Sequence, residues 1–270
     1  MSEAIESREL ANDLREQANA TREQLNQARE RDNQLRELSL TMAAYDMRLP
    51  ISAIGRAIAR TAEGAALDSD GIATLARSSQ RLEHMIAQLL DFAGLRAGNA
   101  MFFGRVEADL AQLCTDVMGD VTLSHPRCKV SFEVRGNTRG RWHPYLIGRV
   151  VSNLLDNAVR HGSDANADLV LSDAGSAVIL EVSSAGPVPE RVLPHLFEPF
   201  RRGPGADAVE RGGLGLGLYI SKQIVLAHGG SIRVETDQPT KTTFVVELPR
   251  VSNSDLTAAG GAGATRMGTQ

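Results

Sequence analysis

Two apolar seven-residue repeats joined by a short polar loop limit the folds open to this chain more than any other feature. The first repeat runs through Leu40, Ala44, Met47, Ile51, Ile54 and Ile58. The second, more regular repeat runs through Ile72, Leu75, Ser79, Leu82, Ile86, Leu89 and Ala93. Each repeat predicts a helix with one apolar stripe, and a hairpin of two such helices cannot bury both stripes by itself. A second copy completes a four-helix bundle, so the pattern predicts a homodimer.

Helix-breaking residues mark the ends of these two predicted helices. Glu63-Gly64 and the run Asp68-Ser69-Asp70-Gly71 predict a loop and an N-cap between them. Pro50 lies inside the first repeat and cannot donate a backbone hydrogen bond to the carbonyl of Asp46, so we expect a kink there.

The segment before the hairpin is dense in Glu, Arg, Gln and Leu and carries a weaker apolar repeat. That repeat passes through Leu14, Ala18, Thr21, Leu25, Ala28, Asp32 and Leu35. It predicts a coiled coil, although Thr and Asp in the seam leave a solvated single helix as the alternative. The step from Leu35 to Leu40 changes the register, as a coiled-coil stutter does.

After residue 104 the pattern changes to that of a mixed α/β domain. Segments rich in Val, Ile, Leu and Thr predict strands over 128–134, 168–172, 177–183, 231–236 and 242–248. Longer periodic segments predict helices over 106–123, 143–161 and 215–228. The expected fold class is α+β, with an α/β sandwich in which helices cover one face of a mixed sheet.

Composition argues against several functions. The 270 residues carry a net charge of -4 without a dominant basic patch, which gives no reason to expect nucleic-acid binding. No apolar run approaches the roughly 20 residues that cross a bilayer, so no membrane span is expected in this chain. Cys114 and Cys128 lack metal-ligand spacing and are expected to be reduced thiols of a cytoplasmic protein.

A glycine-rich segment over 212–218 runs into the last predicted helix. Its alternating glycines let the backbone approach phosphate oxygens, and the helix N-terminus adds N–H donors and a favourable dipole. Taken alone, the pattern fits a flexible loop before a buried helix equally well. A dinucleotide-binding fold is disfavoured, because no strand leads directly into these glycines.

The predicted helix over 143–161 places Asn153 and Asn157 on one face, since they are four residues apart. An amide oxygen beside a phosphate loop is a suitable ligand for a hard cation such as Mg2+. Arg160, one turn further on, can meet a phosphate. The alternative is a polar helix face with a buried asparagine. Between the two features, Phe200 precedes Arg202 and a loop of small and charged residues, which is typical of a nucleotide lid.

In this order the motifs resemble those of histidine kinases of two-component systems, over roughly residues 36–250. The motifs are N-L-L-D-N-A-V-R-H from Asn153, L-F-E-P-F-R-R-G from Leu196, G-G-L-G-L-G-L-Y-I from Gly212, and Thr242-Thr243-Phe244. The resemblance implies a gyrase- and heat-shock-type domain that binds ATP and Mg2+, with Asn157 holding the metal. It implies that the nucleotide is contacted by Asn153, Asn157, Arg160, His161, Ser184, Gly186, Arg202, Gly213, Gly215, Gly217, Leu218 and Thr242.

The resemblance also implies a division of the chain and a set of partners. The expected regions are a coiled-coil signalling helix over 1–38, a dimerisation and phosphoacceptor-type hairpin over 39–98, an ATP-binding catalytic domain over 99–250 and a disordered tail over 251–270. The expected partners are a second copy, the receiver domain of a response regulator or another histidine kinase, and an upstream sensor domain or protein.

The acceptor segment departs from the family pattern. Tyr45 stands where the family carries its phosphate-accepting histidine, followed by Asp46, Arg48, Leu49 and Pro50. A neutral imidazole attacks through one nitrogen while a carboxylate takes the proton from the other. A phenol has no second ring nitrogen, so Asp46 has no evident way to activate Tyr45. Leu49 also replaces the polar residue that would orient water in the reverse, phosphatase reaction.

The adenine side departs as well. Ser184 stands where the family carries a carboxylate that accepts from the adenine amine, two residues before Gly186. Losing such a charged hydrogen bond costs roughly 1–3 kcal/mol, which weakens ATP binding without abolishing it.

Three hypotheses follow. The first is a degenerate transmitter that dimerises, binds ATP and no longer phosphorylates itself. The second is an active ATP-dependent kinase that modifies a histidine on a partner chain or Tyr45 itself. The third is a plain ATPase or an anti-sigma-type serine kinase, which the predicted hairpin disfavours because such enzymes do not need one.

Overall fold

The computed structural model describes residues 19, 21–24, 26–27, 30, 41, 43–62, 67–96, 104–164, 166–201, 214–237 and 240–251. Most of the predicted coiled coil over 1–38, and all of the predicted tail over 251–270 except residue 251, lie outside these residues. The chain divides into two compact units, Met1–Thr74 and Leu75–Gln270, which are described separately.

The first unit contains helix α1, over residues 43–62, and the first turns of helix α2, Ser69–Arg96. Helix α1 continues through Pro50, whose side chain is buried. Asp68 caps α2: its Oδ1 accepts from the Gly71 N–H at 2.8 Å, and its carbonyl accepts from the Ile72 N–H at 3.0 Å. The N-cap predicted between the two apolar repeats is therefore present.

The two helices expose much of the predicted apolar stripe. Ile51, Ile58 and Ile72 are more than half exposed, and Ala44 on the same stripe is exposed too. The buried residues of α1 are instead Ala43, Asp46 and Pro50, one position out of register with the prediction.

Seven strands lie among the described residues of the second unit. They are β1 Val106–Asp109, β2 Lys129–Arg135, β3 Arg139–Trp142, β4 Asn166–Asp173, β5 Ala177–Ala185, β6 Ser231–Asp237 and β7 Lys241–Pro249. Five of them form a sheet in the order β2-β4-β5-β7-β6, in which β2 and β4 are parallel and the other pairs antiparallel. The sheet is mixed, as predicted.

Three helices pack with this sheet: α3 Leu110–Ser124, α4 Pro144–His161 and α5 Gly217–Ala227. Buried residues of α4, such as Leu154 and Leu155, belong to the same core as Leu169 and Leu171 of β4. Burial alternates along β4, since a strand presents successive side chains to opposite faces. One face of the sheet thus supports the helices.

The predicted helix over 106–123 is wrong in its first turn, because residues 106–109 form β1 and pair with β3. Asp109 ends that strand and caps α3, with its Oδ1 accepting from the Ala111 N–H at 3.0 Å. Strand β3 was not predicted, because Arg139–Trp142 has no apolar alternation. Its Trp142 is buried and donates from Nε1 to the Pro249 carbonyl at 2.9 Å.

Both cysteines are buried and free. Burial raises the pKa of the Cys114 thiol to about 12, so this thiol stays protonated at neutral pH. An unreactive core thiol agrees with the prediction of reduced cysteines.

Candidate nucleotide site

Helix α4 carries the paired asparagines. The helix is capped by His143, has Pro144 at its first position and ends where the Gly162 N–H donates to the Ala158 carbonyl at 2.8 Å. Asn153 is buried, and its Nδ2 donates to the Gly217 carbonyl at 3.3 Å and to Ser221 Oγ at 3.4 Å. Asn153 thus joins α4 to the first turn of α5. Asn157, one turn on, is half-buried.

The glycine segment is described from Leu214 onward. Gly215 has a φ of +68°, and a Cβ there would lie 2.6 Å from the Arg201 carbonyl oxygen, so only glycine fits. The Phe200 N–H donates to the Gly215 carbonyl at 2.9 Å. The segment then enters α5 at Gly217, where the position of a Cβ lies 3.4 Å from Asn153 Oδ1. A helix N-terminus, with its N–H donors and positive dipole end, therefore lies directly against Asn153.

The sheet side of the candidate site is built on β5 and β7. Ser184 pairs with Thr242 across the two strands. Thr242 is buried, and its hydroxyl donates to the Gly186 carbonyl at 2.8 Å. The Gly186 N–H donates to the Thr240 carbonyl at 2.9 Å. The Ser163 N–H, just after α4, donates to the Ala185 carbonyl, also at 2.9 Å. These bonds fix the turn after β5 to β7 and to the end of α4.

The structure brings some predicted site residues together and leaves others apart. Asn153 contacts Gly217, and Thr242 contacts Gly186. Leu218 is half-buried in the first turn of α5, while Arg160 is half-buried and His161 exposed in the last turn of α4. Arg202 and Gly213 lie outside the described residues. Tyr45 and Asp46 belong to the other compact unit; Tyr45 is 68% exposed and Asp46 is buried.

A set of residues on α2, which the sequence analysis did not single out, contacts the same region. Gln88 is 4% exposed, and its Oε1 accepts from the Leu214 N–H at 3.3 Å. Asp91 pairs with Arg149 of α4, and Phe92 packs against Phe200 and Tyr219. A glutamine between two apolar seam positions would ordinarily face solvent, so no sequence signal indicated this contact.

The donor set suits a hard cation only in part. Within the described ranges, no cluster of three or more His, Cys, Asp or Glu could hold a metal ion. A half-buried amide oxygen at Asn157 is one oxygen ligand, and Mg2+ ordinarily takes its remaining ligands from water and substrate phosphates. The residues present are compatible with a metal that arrives with its nucleotide.

Residues 143–252 match the family model described as histidine kinase-, DNA gyrase B- and HSP90-like ATPase. This range contains α4, the turn after β5, α5 and β7. The similarity to curated relatives is longer than this range, since their alignments cover 78% and 77% of this chain. The chain is a transmitter module of the histidine kinase type.

Two curated relatives illustrate the similarity. The bacteriophytochrome of Pseudomonas aeruginosa is 31% identical over 212 residues, which cover 78% of this chain and 29% of that protein. The probable sensor histidine kinase TcrY of Mycobacterium tuberculosis is 30% identical over 219 residues, covering 77% of this chain and 44% of that protein. This transmitter module therefore spans under half the length of either relative.

A solved structure shows the same fold. The histidine kinase ThkA, in complex with the response regulator protein TrrA, superposes with a TM-score of 0.61 at 22% identity. The match covers 83% of this chain and 64% of that one. In the part of the module that the structure describes, no helix combines the length and apolarity needed to span a membrane.

Proposed function

We propose that this module is an ATP-binding, homodimeric transmitter of a two-component system that has lost phosphorylation of its own chain. ATP binding is supported by the hydrogen bond from Asn153 to Gly217 in the first turn of α5, within a domain of the ATPase family. The observation that carries the loss is the tyrosine at the acceptor position.

We assign the phosphate side of the nucleotide site to α4 and to the start of α5. Asn157 supplies one oxygen to Mg2+, and Arg160 and the N–H groups around Gly215 and Gly217 neutralise phosphate oxygens. The phosphate side of the nucleotide site also includes His161, Arg202, Gly213 and Leu218. The metal would withdraw charge from the phosphates, while these residues bind and orient them.

The adenine end is assigned to Ser184, Gly186 and Thr242. The Thr242–Gly186 hydrogen bond fixes the turn that follows β5. A Ser184 hydroxyl can accept one hydrogen bond from the adenine amine but carries no charge. We therefore expect weaker ATP binding than a carboxylate at this position would give.

The geometry of α1 supports the loss of self-phosphorylation. Tyr45 points toward solvent and its neighbour Asp46 is buried, as expected for adjacent positions about 100° apart on a helix. The carboxylate and the phenol therefore lie in different surroundings, one buried and one in solvent. Leu49, one turn on, is also exposed and leaves an apolar surface beside Tyr45.

The proposed partners follow from the exposed surfaces and the relatives. A second copy would cover the apolar stripe that α1 and α2 expose. ThkA is described in complex with a response regulator, and we propose that a receiver domain or another histidine kinase binds this module near Tyr45. A sensor domain or protein upstream would supply the signal, and the module would act in the cytoplasm.

The alternative is a kinase that is active on a partner's histidine or on Tyr45. It is supported by the same ATPase-family domain and by the exposure of Tyr45.

One experiment distinguishes the two functions. The pure protein is incubated with γ-labelled ATP, alone and with receiver domains or histidine kinases, and ATP–Mg2+ binding is titrated in parallel. We expect ATP to bind saturably. We expect no label on this chain, and none that this chain transfers to an added partner. Label on Tyr45, or label on a partner that depends on Asn153, would establish the alternative. Absence of binding would refute both.

A further inference from the structure

One face of the C-terminal half of α2 packs against the ATPase-family domain. Its buried positions Met85, Gln88 and Phe92 follow the spacing of a helix face that packs against another surface. Asp91 Oδ2 accepts from Arg149 Nε at 2.7 Å and from Arg149 Nη2, with both side chains mostly buried. Two charge-assisted hydrogen bonds to one carboxylate oxygen hold the two side chains in place more firmly than a single bond would.

Aromatic packing continues this face. The Phe92 ring meets Phe200 edge-on at 5.7 Å and Tyr219 of α5 at 5.8 Å between ring centroids. Phe200 has a φ of +63°, a left-handed conformation that costs a residue with a side chain about 1–2 kcal/mol. Its N–H bonds Gly215, so Phe92 packs on the residue that anchors the glycine segment.

Gln88 reaches the glycine segment itself. The backbone N–H of Leu214 can only donate, so the Gln88 oxygen, its acceptor at 3.3 Å, is assigned to face it. The Gln88 amide nitrogen then faces His84 Nε2 at 2.9 Å. That contact is a hydrogen bond only when His84 is neutral with its proton on Nδ1. Burial lowers the pKa of His84 and favours this neutral form, with Asp91, Asp156, Arg149 and Arg160 as the charged groups around it.

We propose that α2 is an inhibitory latch, in which Gln88 occupies the Leu214 N–H and excludes phosphate from the start of α5. The proposal rests on the proposed function, since it regulates the same phosphate site. The Gln88 amide nitrogen also lies 3.5 Å from the position of a Cβ on Gly217, so the carboxamide covers the N-terminal end of α5.

Gln88 and a phosphate oxygen would compete for the Leu214 N–H, so nucleotide binding and release of α2 are coupled. A ligand that needs the Leu214 N–H binds better once α2 has left, and by linkage it favours that release. A signal that moves α2 would thereby set ATP affinity. The latch supplies the transmitter with a conformational output that requires no phosphate transfer.

The test compares the full chain with Gln88→Leu, which keeps the side chain's size and removes the acceptor. We expect Kd for ATP–Mg2+ in calorimetric titration to fall by about 2- to 10-fold, the equivalent of one neutral hydrogen bond. Asp91→Asn should shift Kd in the same direction. Gln80→Leu, at an exposed position of α2, is the matched control and should leave Kd unchanged.

Hydrogen exchange at the Leu214 amide gives a readout that does not depend on affinity. We expect Gln88→Leu to speed this exchange in the absence of nucleotide, in a protein whose melting curve shows that it is folded. Equal or weaker ATP binding by Gln88→Leu would overturn the latch while leaving the proposed function in place. Failure of both the parent chain and the variant to bind ATP would overturn the proposed function, and the latch with it.

Discussion

Asn153 is the residue on which the candidate site depends most closely. Its buried amide satisfies the Gly217 carbonyl and Ser221 Oγ, so it both orders the first turn of α5 and connects that turn to α4. Each motif alone was ambiguous in the sequence. The order of the motifs along the chain nevertheless indicated that Asn153 and the glycines belong to one site. Gln88 could not be predicted in this way, since its partner is a backbone N–H more than a hundred residues away.

Replacing Asn153 with alanine should weaken both folding and nucleotide binding. The change leaves two buried polar groups without their partner, and we expect a loss of about 1–3 kcal/mol in the free energy of unfolding. ATP affinity should fall roughly ten-fold or more, because the start of α5 is no longer held. Urea unfolding and ATP titration measure the two effects. Asn166→Ala, at an exposed position, is the control; equal effects from both variants would contradict the assigned role.

His228 predicts a pH dependence of stability. Its Nε2 accepts from the His143 N–H at 3.2 Å while Nδ1 bonds the Ile224 carbonyl, an arrangement that suits only the neutral ring. Burial lowers the pKa of His228 from its ordinary value of 6.5, with Arg105 and His143 adding repulsion. The unfolded chain therefore binds a proton first as pH falls, and stability declines below pH 6.5 by at most about 1.4 kcal/mol per pH unit for this group.

Urea unfolding from pH 8 to pH 5 checks this prediction. His228→Gln should flatten the decline, although His84, whose pKa burial also lowers, contributes in the same direction. A slope unaffected by His228→Gln would contradict the role of this histidine.

At the scale of elements, strands with apolar alternation and helices with apolar periodicity were predicted well. Helix α4 begins one residue from the predicted start, and each of the five sheet strands overlaps its predicted segment. Strands β1 and β3 were missed because each has only four residues and they pair with each other across a long separation in sequence, which leaves no local pattern. The helix predicted there begins later because Asp109 caps it.

Arg250 holds several of these elements together at the end of β7. It donates to the carbonyls of Gly175 at 2.8 Å and Asn137 at 2.6 Å, to that of Arg139, and to Asp173 at 2.8 Å. We expect Arg250→Ala to lower the unfolding midpoint by roughly 3–10 °C, since the β2–β3 and β4–β5 connections lose a shared donor. Calorimetry measures the shift. Arg233→Ala, which breaks only an exposed pair with Glu235, should change the midpoint little, and a larger shift from Arg233→Ala would contradict this ranking.

At the scale of the whole molecule, the exposed stripe of α1 and α2 makes dimerisation the central prediction from the sequence. The heptads predict the surface of the dimer, and the packing of α2 against the ATPase-family domain uses a different face. That second face could not be predicted, because its contacts depend on residues that become neighbours only after folding.

A charge in the exposed stripe should dissociate the dimer. Ile86 is 50% exposed, and Ile86→Glu would place two carboxylates in the interface of a symmetric bundle. We expect the dimer's dissociation constant to rise by about 100-fold or more in sedimentation experiments. Leu123→Glu alters a residue that is 81% exposed on α3 and should leave the dimer intact. A parent chain that sediments as a monomer would contradict the bundle.

We propose a transmitter whose ATPase-family domain is competent and whose phosphate acceptor is missing. Transfer of label from γ-labelled ATP to Tyr45→His tests this most directly, with Tyr145→His as the control because Tyr145 is similarly exposed, at 63%. We expect no label on the parent chain or on Tyr145→His, and label at the substituted position of Tyr45→His. Label on Tyr45 of the parent chain, or an unlabelled Tyr45→His that still binds ATP, would contradict it.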